Sequence, residues 1–237
     1  MQERYIGDIH DFFKMNFLEY MSKYTGQLIG LNWYLVRPEN ISKLEIKKND
    51  GEKRSYLYKD EYIEINNLLI NELKSYEKFN NRIIKNFARI TKFKKSVKFY
   101  NEFLTIKKRK DWFDESKVFF DKTKIIFLDP DNGLGFEKTG KNSLKYININ
   151  ELLEYYNLDK TVIFTQFQSF NKNYKKYLNE IIYKLEQYGI KIKYPIIRNR
   201  TGPNTFYLTV SKKKDSEIYN CLTEYSKNNN KIELVIF

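Results

Sequence analysis

The sequence has little of the chemistry that builds cross-linked or metal-centred proteins. Its 237 residues include one cysteine, Cys221, and one histidine, His10. A single cysteine cannot form an internal disulfide, and a single histidine excludes zinc sites that need several His or Cys ligands. No stretch approaches 18 uncharged apolar residues, and charged side chains interrupt the first 17 residues. We therefore expect a cytoplasmic protein with neither a signal peptide nor a membrane span.

Basic residues outnumber acidic ones. The chain has 43 Lys and Arg against 30 Asp and Glu, a formal net charge of +13. This excess favours a polyanionic partner, so nucleic acid is expected, with DNA or RNA left open. Most of the excess is lysine in a chain also rich in Asn, Ile and Tyr, the composition of an AT-rich coding sequence. A lysine-rich solvated surface explains the charge equally well.

Strand and helix patterns alternate along the chain, which predicts an α/β, Rossmann-like fold with a mainly parallel sheet and a closing antiparallel hairpin. We expect one α/β domain over residues 1–237, with a helical excursion at about 60–110 and a short strand at Tyr56 to Tyr58. The predicted strands cover residues 28–36, 124–128, 161–165, 190–197, 205–210 and 232–237, and the predicted helices cover 11–24, 151–156, 174–188 and 215–225.

The run Asp129-Pro130-Asp131-Asn132-Gly133 directly follows the buried strand pattern of residues 124–128. Ligands of open α/β sheets bind beyond the carboxyl ends of strands, where this run is predicted to lie. Proline stiffens the loop and glycine lets the backbone turn, so two carboxylates and an amide would face a cleft. The same residue types also build ordinary turns, which is the alternative.

Two chemical roles suit this loop, and both stay open. In the first, Asp129 or Asn132, together with the carbonyl of Pro130, accepts hydrogen bonds from an exocyclic amine and positions it for methyl transfer. In the second, Asp129, Asp131 and Asp8 hold Mg²⁺, which activates water against a phosphodiester.

The segment from Asp8 to Lys14 holds two acids, the only histidine and a lysine. One interpretation is structural, with Asp8 or Asp11 as a helix N-cap and His10 and Lys14 on a solvated face. The other places these side chains in the same cleft as Asp129, where they grip phosphate or complete an acid cluster. A nucleophilic triad is disfavoured because the chain has no Gly-x-Ser-x-Gly elbow.

Further candidates are weaker, because their residue types are common on solvated surfaces. Asp50 and Lys53 lie in a predicted turn and matter if they swing into the cleft. Arg198 and Arg200 flank the closing hairpin, where an arginine can hold a phosphate through two hydrogen bonds. Two aromatic residues after the strand at 161–165 could stack on a base, namely Phe167 and Phe170.

The chain also contains, in order, Tyr5-x-Gly7-Asp8-x-His10-Asp11-Phe12-x-Lys14, Gly30-x-x-Trp33-Tyr34-Leu35, Asn49-Asp50-Gly51-x-Lys53, Asp129-Pro130-Asp131-Asn132-Gly133-Leu134 and Lys145-Tyr146. In this arrangement it resembles a widespread family of uncharacterised bacterial proteins, a resemblance that supplies candidate positions rather than a reaction.

More distantly, the layout is similar to the Rossmann-like adenine-N6 methyltransferases that act on ribosomal RNA. The segment from Gly7 to Lys14 resembles the one that opens those enzymes, and Asp129-Pro130-Asp131-Asn132 resembles the Asp-Pro-Pro-Tyr tetrapeptide that holds their target base. This likeness implies S-adenosylmethionine as cofactor and nucleic acid as substrate.

The chain departs from the methyltransferase pattern at two places. No second glycine follows Gly30 to cradle the cofactor, and Asp131 replaces a proline with a carboxylate. The first prediction is therefore adenine-type methyl transfer, and the alternative is a magnesium-dependent nuclease of a defence or restriction system. A non-catalytic module that binds nucleic acid or protein is the third hypothesis.

Overall fold

A computed structural model describes residues 1–48, 53–168, 172–227 and 229–237. Along the chain the strands are β1 (Ile29–Asn32), β2 (Val97–Tyr100), β3 (Ile125–Leu128), β4 (Leu134–Gly135), β5 (Ile147–Asn148), β6 (Thr161–Phe167), β7 (Ile196–Asn199), β8 (Thr205–Val210) and β9 (Ile232–Val235). The α-helices are α1 (Ile9–Thr25), α2 (Pro38–Ile41), α3 (Lys43–Ile46), α4 (Asp60–Lys74), α5 (Ile84–Phe87), α6 (Thr91–Lys94), α7 (Arg109–Phe119), α8 (Ile149–Asn157), α9 (Tyr174–Gln187) and α10 (Ser216–Ser226).

The main sheet has seven strands in the order β2-β1-β3-β6-β8-β7-β9, and β4 pairs with β5 in a small separate sheet. The first four strands of that order are mutually parallel, whereas β8 runs antiparallel between β6 and β7. β9 closes the far edge antiparallel to β7. The protein therefore has a Rossmann-like α/β fold with a closing antiparallel hairpin, as the alternating sequence pattern predicts.

Helices cover both faces of the sheet, because the central strands are apolar on both sides. β1 and β3 are buried at every position. One core includes Phe12 and Phe17 of α1 with Tyr225 of α10, and the other includes Trp112 of α7 with Leu178 of α9. In the described residues, none of the helices is long and apolar enough to cross a membrane.

The structure differs from the sequence-based expectation in several local features. The strand expected over residues 190–197 is confined to Ile196–Asn199, and the one expected over residues 28–36 is confined to Ile29–Asn32. Residues Ser55–Tyr58 form a 3₁₀ helix rather than a strand. Its backbone closes on itself, since Leu57 N–H donates to the carbonyl of Arg54 and Lys59 N–H to that of Tyr56. The helices of the excursion expected over residues 60–110 end at Lys94, β2 then forms an edge of the main sheet, and helix resumes only with α7 at Arg109.

Candidate functional site

A cavity of about 380 Å³ lies at the carboxyl edge of the sheet, and we call it the acidic cavity. The register of β1 and β3 aligns Asn32 with Leu128, and the next residue, Asp129, donates its N–H to the carbonyl of Asn32. Most of the residues that the sequence singles out line this cavity, namely Asp8, His10, Asp11, Lys14, Lys53, Asp129, Pro130, Asp131, Asn132 and Phe167.

Asp8 is both the N-cap of α1 and part of the cavity wall. Its Oδ1 accepts hydrogen bonds from the backbone N–H groups of His10 (2.9 Å) and Asp11 (3.1 Å). Burial raises the pKa of Asp8 to about 7, and the nearby charge of Asp11 adds to the rise, while the backbone hydrogen bond, Lys14 and Arg54 oppose it. The structural and the functional interpretation of Asp8 are therefore compatible.

Asp11, Lys14 and Asp129 form a buried ion triad at the back of the cavity. Lys14 Nζ lies 2.5 Å from Asp11 Oδ1 and 2.5 Å from Asp129 Oδ2. Asp129 Oδ1 also accepts from Thr165 Oγ1 at 3.1 Å. Burial disfavours the ammonium, but the two carboxylates outweigh it and raise the pKa of Lys14 above its ordinary value. Lys14 thus neutralises two acids that come from distant parts of the chain.

The pKa of Asp129 is also raised, because burial outweighs the attraction of Lys14. Three carboxylates thus come together: Asp8 caps α1, Asp11 lies in the first turn of that helix, and Asp129 lies in the loop after β3. Their mutual repulsion in a buried place makes the ammonium of Lys14, which contacts two of them, central to the stability of the site.

His10 faces the closing hairpin. Its Nδ1 lies 2.8 Å from Thr205 Oγ1, and its ring meets that of Phe167 edge-on at a centroid distance of 5.3 Å. Burial, followed by the charges of Lys53 and Lys14, lowers the pKa of His10 to about 3. The imidazole is therefore neutral at physiological pH and does not supply a positive charge for a phosphate.

The rest of the Asp129 loop turns toward other partners. Asp131 Oδ2 accepts from Gln2 Nε2 at 2.8 Å, and Asp131 Oδ1 lies 2.9 Å from the amino group of Met1. Asn132 N–H donates to the carbonyl of Lys145 at 2.9 Å. The carboxylates of Asp129 and Asp131 consequently bind separate cationic or N–H groups.

Besides Lys14, three lysines line the cavity, namely Lys48, Lys53 and Lys145. Lys145 Nζ lies 3.2 Å from both carboxylate oxygens of Glu45, and Lys48 Nζ lies 3.0 Å from one of them. Burial lowers the pKa of Lys53, and the charge of Asp8 opposes that effect. A mostly acidic interior is thus bordered by basic side chains.

The predicted arginines do not line the cavity. Arg198 Nη1 binds Glu233 Oε2 at 2.6 Å, because these residues are cross-strand partners in β7 and β9. The guanidinium of Arg198 also lies 3.9 Å from the ring centroid of Tyr174. The backbone of Arg200 donates to the carbonyl of Lys231. Asp50 and Phe170 lie outside the described residues.

Tyr5 and Lys145, which belong to the motifs of the family resemblance, also line the cavity. Other cavity residues carry no sequence signal of their own, namely Met1, Lys48, Thr165, Pro203, Thr205 and Tyr207. Thr165 and Tyr207 are cross-strand partners in β6 and β8. Their place in the site follows from strand register. Only Thr165, a polar residue ending a predicted buried strand, could have been singled out beforehand.

The residues after β1 do not fit the glycine-rich cradle that S-adenosylmethionine takes in Rossmann-like methyltransferases. Trp33, Tyr34 and Leu35 are fully buried there, and Val36 donates its N–H to the carbonyl of Met1. A Cβ added to Gly30 would lie 2.7 Å from the ring of Phe120, so this glycine serves helix packing.

A metal site is not preformed either. Within the described ranges, no group of three or more His, Cys, Asp or Glu side chains is arranged to hold a metal ion. The three carboxylates considered for Mg²⁺ have different partners: Asp8 binds backbone N–H groups, Asp129 binds Lys14, and Asp131 binds Gln2.

Comparison of the chain with protein-family models, with curated proteins and with solved structures finds no match. The geometry of the acidic cavity is therefore the basis for any statement about function.

Proposed function

We propose that the chain is an enzyme that modifies nucleic acid, that one base enters the acidic cavity, and that Asp8 accepts the proton that the exocyclic amine of this base loses when it reacts. The observation that carries this proposal is the meeting of two separate motifs in one cavity. The Asp8 to Lys14 segment and the Asp129 loop both line it, although Lys14 and Asp129 are 115 positions apart in the sequence.

The size of the cavity supports a small planar ligand. Its volume of about 380 Å³ lies in the lower part of the range typical of small-molecule sites. Enzymes that act on a base take it out of the stack into a pocket and read its polar edge by hydrogen bonds. Phe167, Pro130 and Tyr207 supply apolar surface, and Asp8 supplies an acceptor for a base edge.

The charge distribution supports a nucleic-acid strand rather than a neutral metabolite. The chain has a net charge of +13, and Lys48, Lys53 and Lys145 line the same cavity as the buried acids. Phosphates along a strand would meet the lysines while a base reaches the acidic interior.

Asp8 suits the role of proton acceptor. Its Oδ1 is held by two backbone N–H groups, and its Oδ2 has no hydrogen-bond partner within the part of the chain that the structure describes. A group whose pKa is about 7 exchanges protons efficiently at neutral pH. By contrast, Asp129 is held by Lys14 and Thr165, so we assign it to positioning.

The test is exposure of the purified protein to RNA and to DNA in the presence of S-adenosylmethionine and Mg²⁺, which the two candidate reactions require. Digestion and mass spectrometry of the nucleosides, and gel analysis of strand length, then detect modification or cleavage. The informative variant is Asp8→Asn, which keeps a capping oxygen but cannot accept a proton. Its matched control is Asp215→Asn, because Asp215 caps α10 with the same two-bond geometry. We expect modification by the wild type and the control but not by Asp8→Asn.

A wild-type protein that binds neither RNA nor DNA at low salt, and changes neither, would refute the proposal. Equal activity of Asp8→Asn and wild type would refute the role of Asp8 alone.

Adenine-type methyl transfer is one candidate reaction, and it rests on the position of the Asp129 loop alone, because the residues after β1 do not fit the S-adenosylmethionine cradle of Rossmann-like methyltransferases. Asp129 and Pro130 follow β3, which is a neighbour of β1 in the sheet. This position resembles that of the base-holding tetrapeptide in adenine-N6 methyltransferases. Titration calorimetry with S-adenosylmethionine tests it, and no heat at millimolar cofactor would count against it.

The metal-dependent nuclease remains the competing reaction. Strand cleavage that requires Mg²⁺ and disappears in Asp131→Ala would favour it over methyl transfer. Cleavage that persists in Asp131→Ala would exclude Asp131 as a ligand.

A further inference from the structure

A second cavity, which we call the outer groove, adjoins the acidic cavity. Its volume is about 630 Å³, and its walls come from β4 and the residues after it, from the tip of β6 and from α9. Asn132 and Phe167 line both cavities. A chain-like ligand could therefore pass from one cavity to the other around these two residues.

The outer groove carries aromatic rings paired with lysines. Lys184 Nζ lies 5.3 Å from the ring centroid of Phe136, and Lys138 Nζ lies 5.4 Å from that of Tyr146. Both lysines are exposed, and both rings are partly accessible. Aromatic faces on which bases stack, set among cations that meet phosphates, are the elements of sites for single-stranded nucleic acid.

Negative charge in the groove is partly compensated. Glu180 pairs with Lys172 at 2.5 Å, while Glu137 is exposed. The floor is fixed by Gln166, whose Oε1 accepts from Leu134 N–H at 2.8 Å and whose Nε2 donates to Tyr177 Oη. The groove therefore has a rigid polar floor, and a ligand would not need to order it.

We propose that the outer groove binds the nucleotides that flank the base held in the acidic cavity, so that the substrate is single-stranded nucleic acid. This inference rests on the proposed function, because it assigns the second cavity to the same strand. Stacking and phosphate contacts of this kind tolerate any base, so the groove would add affinity with little sequence preference.

The test is fluorescence anisotropy with a labelled single strand of about 12 nucleotides, a length within the site sizes of such proteins, as RNA and as DNA. The double variant Lys138→Ala/Lys184→Ala removes both groove lysines. The matched control Lys122→Ala/Lys124→Ala removes two exposed lysines that precede β3, at the opposite edge of the sheet.

We expect the groove variant to weaken binding and to reduce the slope of log affinity against log salt by about 1.4, the value for two single-strand phosphate contacts. The control should keep the wild-type slope. Phe136→Ala should weaken binding by about tenfold through lost stacking, with the salt slope unchanged.

A parallel titration with mononucleotides separates the two proposals. One outcome would overturn the assignment of the outer groove but not that of the acidic cavity. In that outcome mononucleotides bind, Asp8→Asn alters their binding, and the single strand binds no more tightly than the mononucleotides. Equal salt slopes for the groove variant and its control would also overturn it. If neither strands nor mononucleotides bind, the proposed function itself fails.

Discussion

Replacing Asp8 with asparagine should stabilise the protein, and the gain should grow with pH. Burial raises the pKa of this carboxyl from its ordinary 3.8 to about 7. Between those values the folded protein holds a proton that the unfolded chain has lost, so the stability of the wild type falls as pH rises through this interval. Above about pH 7 Asp8 is ionised in the native state too, and the loss of folding stability from its buried charge reaches its full value.

The magnitude follows from the rise in pKa. At 1.36 kcal/mol for each pH unit, the penalty reaches about 4 kcal/mol above neutral pH. Asparagine is as good an N-cap as aspartate, so the two capping hydrogen bonds should survive. We expect the advantage of Asp8→Asn over wild type to increase by roughly 3 kcal/mol between about pH 5 and about pH 8.5.

Urea unfolding at the two pH values measures this difference, with the buried side chains of Trp33 and Trp112 as fluorescent probes. Asp215→Asn is the control, since Asp215 is an exposed N-cap. The control should change stability little at either pH. A stability difference for Asp8→Asn that is the same at both pH values would refute the reasoning, and so would a difference that shrinks as pH rises.

The candidate site could be predicted largely because its motifs carry local signals. A buried apolar run followed by Asp129-Pro130-Asp131 indicates a strand tip, and strand tips of parallel sheets share one edge. The N-cap position of Asp8 is equally local, because a cap depends on the next few residues only. The ion pair between Lys14 and Asp129 could not be predicted from the sequence, because it depends on the pairing of β1 with β3.

The strand β2 shows the limit of reading periodicity in a lysine-rich chain. Its Val97 and Tyr100 are buried and the two residues between them are partly exposed, as expected at a sheet edge. Lys98 lies within this strand and donates a hydrogen bond to the carbonyl of Phe119. A charged residue inside the strand makes its sequence resemble that of a loop. The prediction of a strand at Tyr56 to Tyr58 is wrong for the opposite reason, because residues that favour strands form a 3₁₀ helix there.

Two further substitutions test how the acidic cavity is held together. Lys14→Met leaves two buried carboxylates without the ammonium of Lys14 and should lower the free energy of unfolding by about 3 to 5 kcal/mol near neutral pH, and by less in acid. Lys23→Met, on the exposed side of α1, should lower it by less than about 1 kcal/mol. Equal losses in urea unfolding would show that the triad is not stabilising. Gly133→Ala should be the more damaging of two glycine substitutions, because its φ of +96° is left-handed and its new Cβ would lie 2.3 Å from Gln166 Oε1, while Gly26, also left-handed at a φ of +62°, opens onto free space. Both variants bear the strain of a left-handed alanine, so the excess cost of Gly133→Ala, about 1 to 3 kcal/mol, isolates the overpacking. If the two variants unfold at the same urea concentration, the side chain of Gln166 moves aside easily, and the Asp129 loop is not held rigidly against it.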